Sequence, residues 1–213
     1  MNTFKDLLKG RSDRMLKANI AIVLLPLLIM VLPAYGQEEY RDFYSGSIRT
    51  TNTGMYILGG WAITNIATGA YGWSRFDGDK KYFHQMNLFW NTVNLSIAGY
   101  ALYSNSMLDI SAMGADEIMD KHTGTERILL INTALNVGYI GTGLLMRHFS
   151  GRSEKHGDLL KGYGNSVILQ GSFLFVFDLV LYGILRNQRI DFMDNINVAL
   201  FPDGAALRFV FPL

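Results

Sequence analysis

The sequence predicts an all-α membrane protein: an up-down bundle of four transmembrane helices followed by a short extracytoplasmic C-terminal tail. Three observations carry this reading. Four apolar stretches, at about 54–73, 82–103, 127–147 and 164–185, are separated by short polar linkers. A helix needs roughly 20 predominantly apolar residues to cross the hydrocarbon core, and each stretch is about that long. Charged residues make up only 17% of the chain, below the soluble average of roughly 25%, and they gather between the stretches. Finally, the basic residues are distributed unevenly over the linkers.

The N-terminal 36 residues read as a signal peptide. Lys5, Lys9, Arg11, Arg14 and Lys17 form a basic leader, and Ala18 to Leu32 is an apolar run broken by Pro26. Small residues then precede a cut ahead of Gln37, the order expected of a secretory signal. The Gly36-Gln37 junction resembles signal sites common in secreted proteins of Bacteroidota. An uncleaved anchor is the alternative and would add a fifth span. Either way the basic end stays in the cytoplasm, and residues 37–53 form an extracytoplasmic lead-in.

From that start the linkers alternate sides. Arg75, Lys80, Lys81, Arg147, Arg152, Lys155 and Lys161 fall in the two cytoplasmic linkers. The outer linker, Ser104 to Thr125, carries Lys121 against Asp109, Asp116, Glu117 and Asp120. This is the positive-inside asymmetry of an inner-membrane protein with both mature termini outside. Arg186 and Arg189, on the outer side, run against it. Short linkers favour sequential spans as neighbours, so residues 54–186 are expected to pack as one bundle. The outer linker's scattered apolar residues suggest a segment lying along the membrane surface. In the 187–213 tail, Asn197–Phe201 and Ala206–Phe211 flank Pro202-Asp203-Gly204 and read as a short β-hairpin. An outer-membrane barrel does not fit, because barrel strands are about 10 residues of alternating polarity.

Small residues recur every four positions at Gly60, Thr64, Thr68 and Gly72, and again at Ala134, Gly138 and Thr142. Such stripes let helix backbones approach closely in lipid, and both are expected at helix contacts. The second span is more polar than a crossing helix should be. His84, Asn87, Asn91 and Asn94 recur at steps of three and four, which puts them on one face. Amides in hydrocarbon are costly unless paired or hydrated. Every other span adds to this set: Asn65 on the first, Asn132 and Asn136 on the third, Gln170 and Asp178 on the fourth. Counting about 1.5 Å per residue from each span's centre brings Asn65, Asn91, Asn94 and Asn136 within roughly 3 Å of the midplane. Asp178 comes out roughly 5 Å outward of it, and His84, Asn87 and Gln170 fall on the cytoplasmic side. Asn65, Asn91, Asn94, Asn132, Asn136 and Asp178 are therefore the candidate intramembrane layer. An ionisable residue inside a span is by default a functional hypothesis; a purely structural Asp178 would hydrogen-bond a neighbouring amide.

Several classes of function are excluded or disfavoured. The chain has no cysteine, which rules out disulfides, thiol catalysis and Cys-ligated metals. A net charge of +1, without a Lys/Arg-rich block, gives no nucleic-acid signature. His84 and His148 near two span ends, with His156 beyond, invite a haem or metal reading. Neither of the first two is deep, however, and no HxxxH spacing exists, so no cofactor or metal is expected. No nucleophile–base pair can be assembled from the sequence, which argues against an enzyme. Two functions remain: a small polar-solute or ion binding or transport module, and a structural or assembly protein whose polar layer only fixes helix packing. The lipid bilayer is the expected partner; a homo-oligomer or another membrane protein is left open.

The blocks Met55-Tyr56-Ile57-Leu58-Gly59-Gly60-Trp61-Ala62 and Tyr82-Phe83-His84-Gln85-Met86-Asn87-Leu88-Phe89-Trp90-Asn91 are similar to a family of Bacteroidota membrane proteins of unknown function. The similarity extends from the first span to the fourth. It implies a small multi-span protein and assigns no catalytic residue.

Overall fold

The structure, a computed structural model, describes the backbone of residues 2–200 and the side-chain surroundings of residues 36–196. Their regular structure is all helical: α1 (Asn2–Arg75), α2 (Gly78–Ser106), α3 (Ala115–Ser150) and α4 (Gly157–Leu200), with one 3₁₀ turn at Ile110–Ala112. Each expected span lies inside one helix. The tightest reversal is α1 to α2, where Gly78 adopts φ +59. A side chain is strained in that left-handed conformation, so glycine is required there. The hairpin expected from Asn197 is not formed at its start, because residues 197–200 continue α4; residues 201–213 lie outside the described residues. Phe192, one turn earlier, stacks on Phe43 of α1 with ring centroids 4.3 Å apart, which helps hold α4 helical past the expected span.

The helices pack in the order α1–α2–α4–α3; the backbones of α2 and α3 do not approach each other, and side chains such as Trp90 and Tyr139 meet between them. Sequential spans are therefore not all neighbours, contrary to the expectation from short linkers. Glycines explain the choice. A methyl on Gly162 of α4 would lie 2.7 Å from the Phe83 nitrogen of α2. Gly143 of α3 and Gly164 of α4 face each other so closely that a methyl on either would lie 2.7 Å from the other's carbonyl oxygen. These contacts commit both sides of α4, one to α2 and one to α3.

Neither expected small-residue stripe is where helices meet. Gly60, Thr64 and Thr68 point outward, as do Ala134, Gly138 and Thr142. Their threonines satisfy themselves: Thr64, Thr68 and Thr142 each donate to the carbonyl four residues back, at 2.9 Å. A self-bonded hydroxyl can face an apolar environment cheaply, so small-and-Thr spacing did not identify the contact face. The true seam of α1 runs through Leu58, Ala62, Asn65, Gly69 and Gly72, a few positions around the helix; of the expected stripe only Gly72 belongs to it.

Polarity is arranged inside out. Asn65, Asn87, Asn91, Asn94, Asn136, Gln170 and Asp178 are all buried, while Ile57, Ile63, Phe89, Val93, Ile97, Leu135 and Val180 are among the exposed large apolar residues. Two described helices, Ala115–Ser150 and Gly157–Ile196, are long and apolar enough to cross a membrane. In α1 and α2 the amides that face the interior lower the mean hydropathy. A compact apolar cluster of Met55, Leu58, Ala98, Leu129, Leu181 and Leu185 lies beyond them, towards the C-terminal part of α4.

The lead-in and outer linker are packed structure rather than polar tethers. Tyr44, Met113 and Ile118 form a second core with Tyr40, Phe43, Ile48, Leu108 and Ile110 against it. The spacing of Tyr40, Phe43, Tyr44, Ser47 and Ile48 lays one side of α1 against α3 and the 3₁₀ turn. At 36 residues, α3 is far longer than the roughly 20 a crossing would need, and its first turns, with Ile118 and His122 buried, pack against α1.

Candidate functional site

Three tiers of buried polar side chains lie along the bundle. The innermost is a ring built on α1, α2 and α4. The Trp61 indole N–H donates to Gln170 Oε1 at 2.9 Å, and the Gln170 amide donates to Asn87 Oδ1. Asn87 Nδ2 donates to Asn65 Oδ1 at 2.7 Å, and Asn65 Nδ2 returns to the Trp61 carbonyl at 2.8 Å. The circuit closes on the residue where it began, with Gln170 fully buried and Asn87 2% exposed. Each amide in it both gives and receives. That is what makes several carboxamides tolerable in an apolar surrounding.

The second tier lies eight residues further along α4, about 12 Å at helical rise. Asn136 Nδ2 donates to Asp178 Oδ2 at 2.8 Å, joining α3 to α4. Asn91 and Asn94 continue from the ring along α2: Asn91 donates to the Asn87 carbonyl at 2.8 Å, and Asn94 makes a long 3.4 Å contact to Asn91 Oδ1. Unlike the ring, this tier does not close. Asp178 is 5% exposed, and the bond from Asn136 is its one side-chain hydrogen bond among the described residues. An ionised carboxylate offers about four acceptor sites. Asp178, Asn136, Asn94 and Asn132 all line a cavity of about 490 Å³ in the gap between α2 and α3. Trp90 and Tyr139 meet edge to face across that gap with centroids 4.9 Å apart.

The polar residues fall into tiers rather than a single layer. One layer from all four helices was expected; Asn65 instead joins Asn87 and Gln170, while Asn136 and Asp178 form a separate tier. Counting from span centres assumes helices in axial register, which these are not. Asn132 is exposed at the cavity rim rather than buried. His84 joins neither tier: its Nδ1 is unpartnered, and its ring stacks on Phe76 with centroids 5.3 Å apart. Among the described residues no three His, Asp or Glu side chains converge on a metal position.

The third tier escaped sequence reasoning. His122 Nε2 lies 3.1 Å from both Glu126 Oε1 and the Leu185 carbonyl, and His122 Nδ1 lies 2.8 Å from Ser47 Oγ. Both partners of Nε2 are acceptors, so Nε2 carries the proton and the Ser47 hydroxyl donates to Nδ1. Burial pushes the His122 pKa below its ordinary value, outweighing the opposing pull of Glu126, so the imidazole is neutral. The charged partner of Glu126 is Arg189, whose Nε and Nη2 grip the two carboxylate oxygens at 2.8 and 3.0 Å. That fork-on-fork pair gives a structural reason for the arginine that ran against the expected charge asymmetry. Ser, His and Glu in a row have the residue types of a hydrolytic triad, but Ser47 is 4% exposed and lies within α1. Its neighbouring N–H groups are committed to helix bonds and form no oxyanion hole. The tier ties α1, α3 and α4 together. Its one sequence signal was the four-residue spacing of His122 and Glu126.

A family model described as "Family of unknown function (DUF6992)" matches residues 57–179, more than half of the chain, and the chain belongs to that family. The matched stretch holds the amide ring and the Asp178 tier and leaves out Ser47 and Arg189. No curated protein and no solved structure matches the chain.

Proposed function

We propose that this family member is an inner-membrane protein of four spans and that Asp178, with Asn136, Asn94 and Asn132, binds the polar group of a small ligand. The leader is cleaved before Gln37, and both mature termini face outward. Inside-out polarity supports the four-span reading: buried carboxamides with exposed Ile, Val, Leu and Phe suit a protein solvated by lipid rather than water. One observation carries the ligand reading. Asp178 is a nearly buried carboxyl with a single hydrogen bond, and it faces a cavity whose volume falls in the roughly 300–1,000 Å³ range of small-molecule sites. The acceptors there suit a hydrogen-bond donor or a cation.

A packing role is favoured for the ring alone. Trp61, Asn65, Asn87 and Gln170 leave no group directed at a ligand, so they fix helix register, as in the assembly reading.

The test is thermal stability of the purified protein against cations, amines and alcohols, in wild type and in Asp178→Asn and Asp178→Leu. A ligand that binds only the folded state raises the midpoint. Asp178→Asn should fold normally and respond less to cations. Asp178→Leu strands the Asn136 amide and should cost about 1–2 kcal/mol, the scale of membrane hydrogen bonds. A wild type unmoved by every compound, or a response unchanged in Asp178→Leu, contradicts the reading.

A further inference from the structure

Access to Asp178 along the bundle is closed at both ends. Towards the cytoplasm, the amide ring is capped by Trp61 and Phe173, stacked with centroids 3.9 Å apart. Towards the outside, Leu58, Ala98, Leu129, Leu181 and Leu185 fill the interior, and the clamp of His122, Glu126 and Arg189 lies beyond them. The open direction is sideways. Because the backbones of α2 and α3 stay apart, bridged by the Trp90–Tyr139 contact, the cavity between them opens onto the apolar belt, and Phe89, Val93, Ile97 and Leu135 at its walls are roughly half exposed. In the four-span arrangement those side chains face acyl chains.

The lining also restricts the ligand's head. Asp178 is its one ionisable acid, and it holds no Lys, Arg or His. An anionic head would face a carboxylate without a compensating cation, at a cost that rises as water is excluded. A head that donates hydrogen bonds meets Asp178 and the side-chain oxygens of Asn94 and Asn136. The aromatic walls of Phe89, Trp90 and Tyr139 add favourable contacts for an apolar body and for a cationic head.

We infer that the α2–α3 cleft takes a membrane amphiphile, entering sideways from the bilayer, whose hydroxyl or ammonium head docks on Asp178 while its chain lies against Phe89, Val93, Ile97 and Leu135. This rests on the Asp178 site proposed above and adds the class of ligand and its route.

The full-length protein in lipid nanodiscs is titrated with five probes while its melting midpoint is followed. Dodecylamine and dodecanol carry head and chain, butylamine and butanol carry the head alone, and laurate carries the chain with an anionic head. The two long-chain donors should raise the midpoint saturably, and the other three should not. Comparing dodecylamine with dodecanol tells which head is preferred. Asp178→Asn should weaken dodecylamine about 10-fold or more, the scale of a hydrogen bond to a charged group. Val93→Phe narrows the cleft mouth at an exposed position, leaves Asp178 untouched, and should weaken both long-chain probes. If the short donors match the long ones, lateral amphiphile binding is wrong and the Asp178 site stands as a polar-solute site. Equal stabilisation by laurate overturns the inference as general detergency. Silence from all five, together with silence from inorganic cations, removes the site itself.

Discussion

Replacing Asn87 by Leu tests whether the amide ring holds the helices in register. Asn87 is 2% exposed and stands between two partners, giving a hydrogen bond to Asn65 and receiving one from Gln170. Leucine is of similar size, so little cavity is opened and the loss reports on hydrogen bonding. Two side-chain bonds disappear, and Asn65 Oδ1 and the Gln170 amide are left without partners. Membrane hydrogen bonds average about 0.6 kcal/mol and reach about 1.7 kcal/mol, so the pair should be worth about 1–3 kcal/mol. Equilibrium unfolding in mixed micelles, followed by far-ultraviolet circular dichroism, measures this. The double variant with Asn65→Leu should lose less than the two single losses added, with a coupling of about 1 kcal/mol, because the variants share one bond. Strict additivity, or a single loss below about 0.3 kcal/mol, would refute the closed ring.

Two further expectations concern the clamp of His122, Glu126 and Arg189. Arg189→Ala leaves the Glu126 carboxylate, 8% exposed, without its cation; breaking a buried pair costs about 3–5 kcal/mol, and the 29% exposure of Arg189 lowers this to about 2–3 kcal/mol. Thermal melts should show that loss, and Arg189→Ala with Glu126→Gln together should recover part of it. His122 has a folded pKa below its ordinary value of 6.5. A group with a depressed folded pKa contributes stability that is full above the unfolded value and fades as pH falls through the folded one. The melting midpoint should therefore drop below about pH 6.5 in wild type and drop less in His122→Gln; parallel curves would remove His122 as the cause.

What the sequence disclosed follows from which physical signal each feature leaves. The helices were readable because apolar stretches of crossing length are a strong one-dimensional pattern. The polar face of α2 was readable because His84, Asn87, Asn91 and Asn94 keep helical spacing. Which tier each amide joins depends on axial offsets between helices, and no count along one chain contains those. The contact face of α1 was misread because Thr64 and Thr68 resemble packing residues while bonding their own helix. The clamp was missed for a different reason: Ser47, His122, Glu126 and Arg189 lie at or beyond the span ends, in segments too polar to look like a core. Only the four-residue spacing of His122 and Glu126 marked the place.

The central claim is that four helices cross the membrane around a polar interior, and the chain's lack of cysteine makes it directly testable. Single cysteines introduced at the exposed linker positions Asp77, Asp116 and Arg152 are labelled in intact cells with a membrane-impermeant maleimide. The account predicts that Asp116→Cys is labelled from outside, while Asp77→Cys and Arg152→Cys react only after the membrane is opened. Outside labelling of Asp77→Cys or Arg152→Cys, or protection of Asp116→Cys, would contradict the four-span arrangement and the lipid-facing cleft with it.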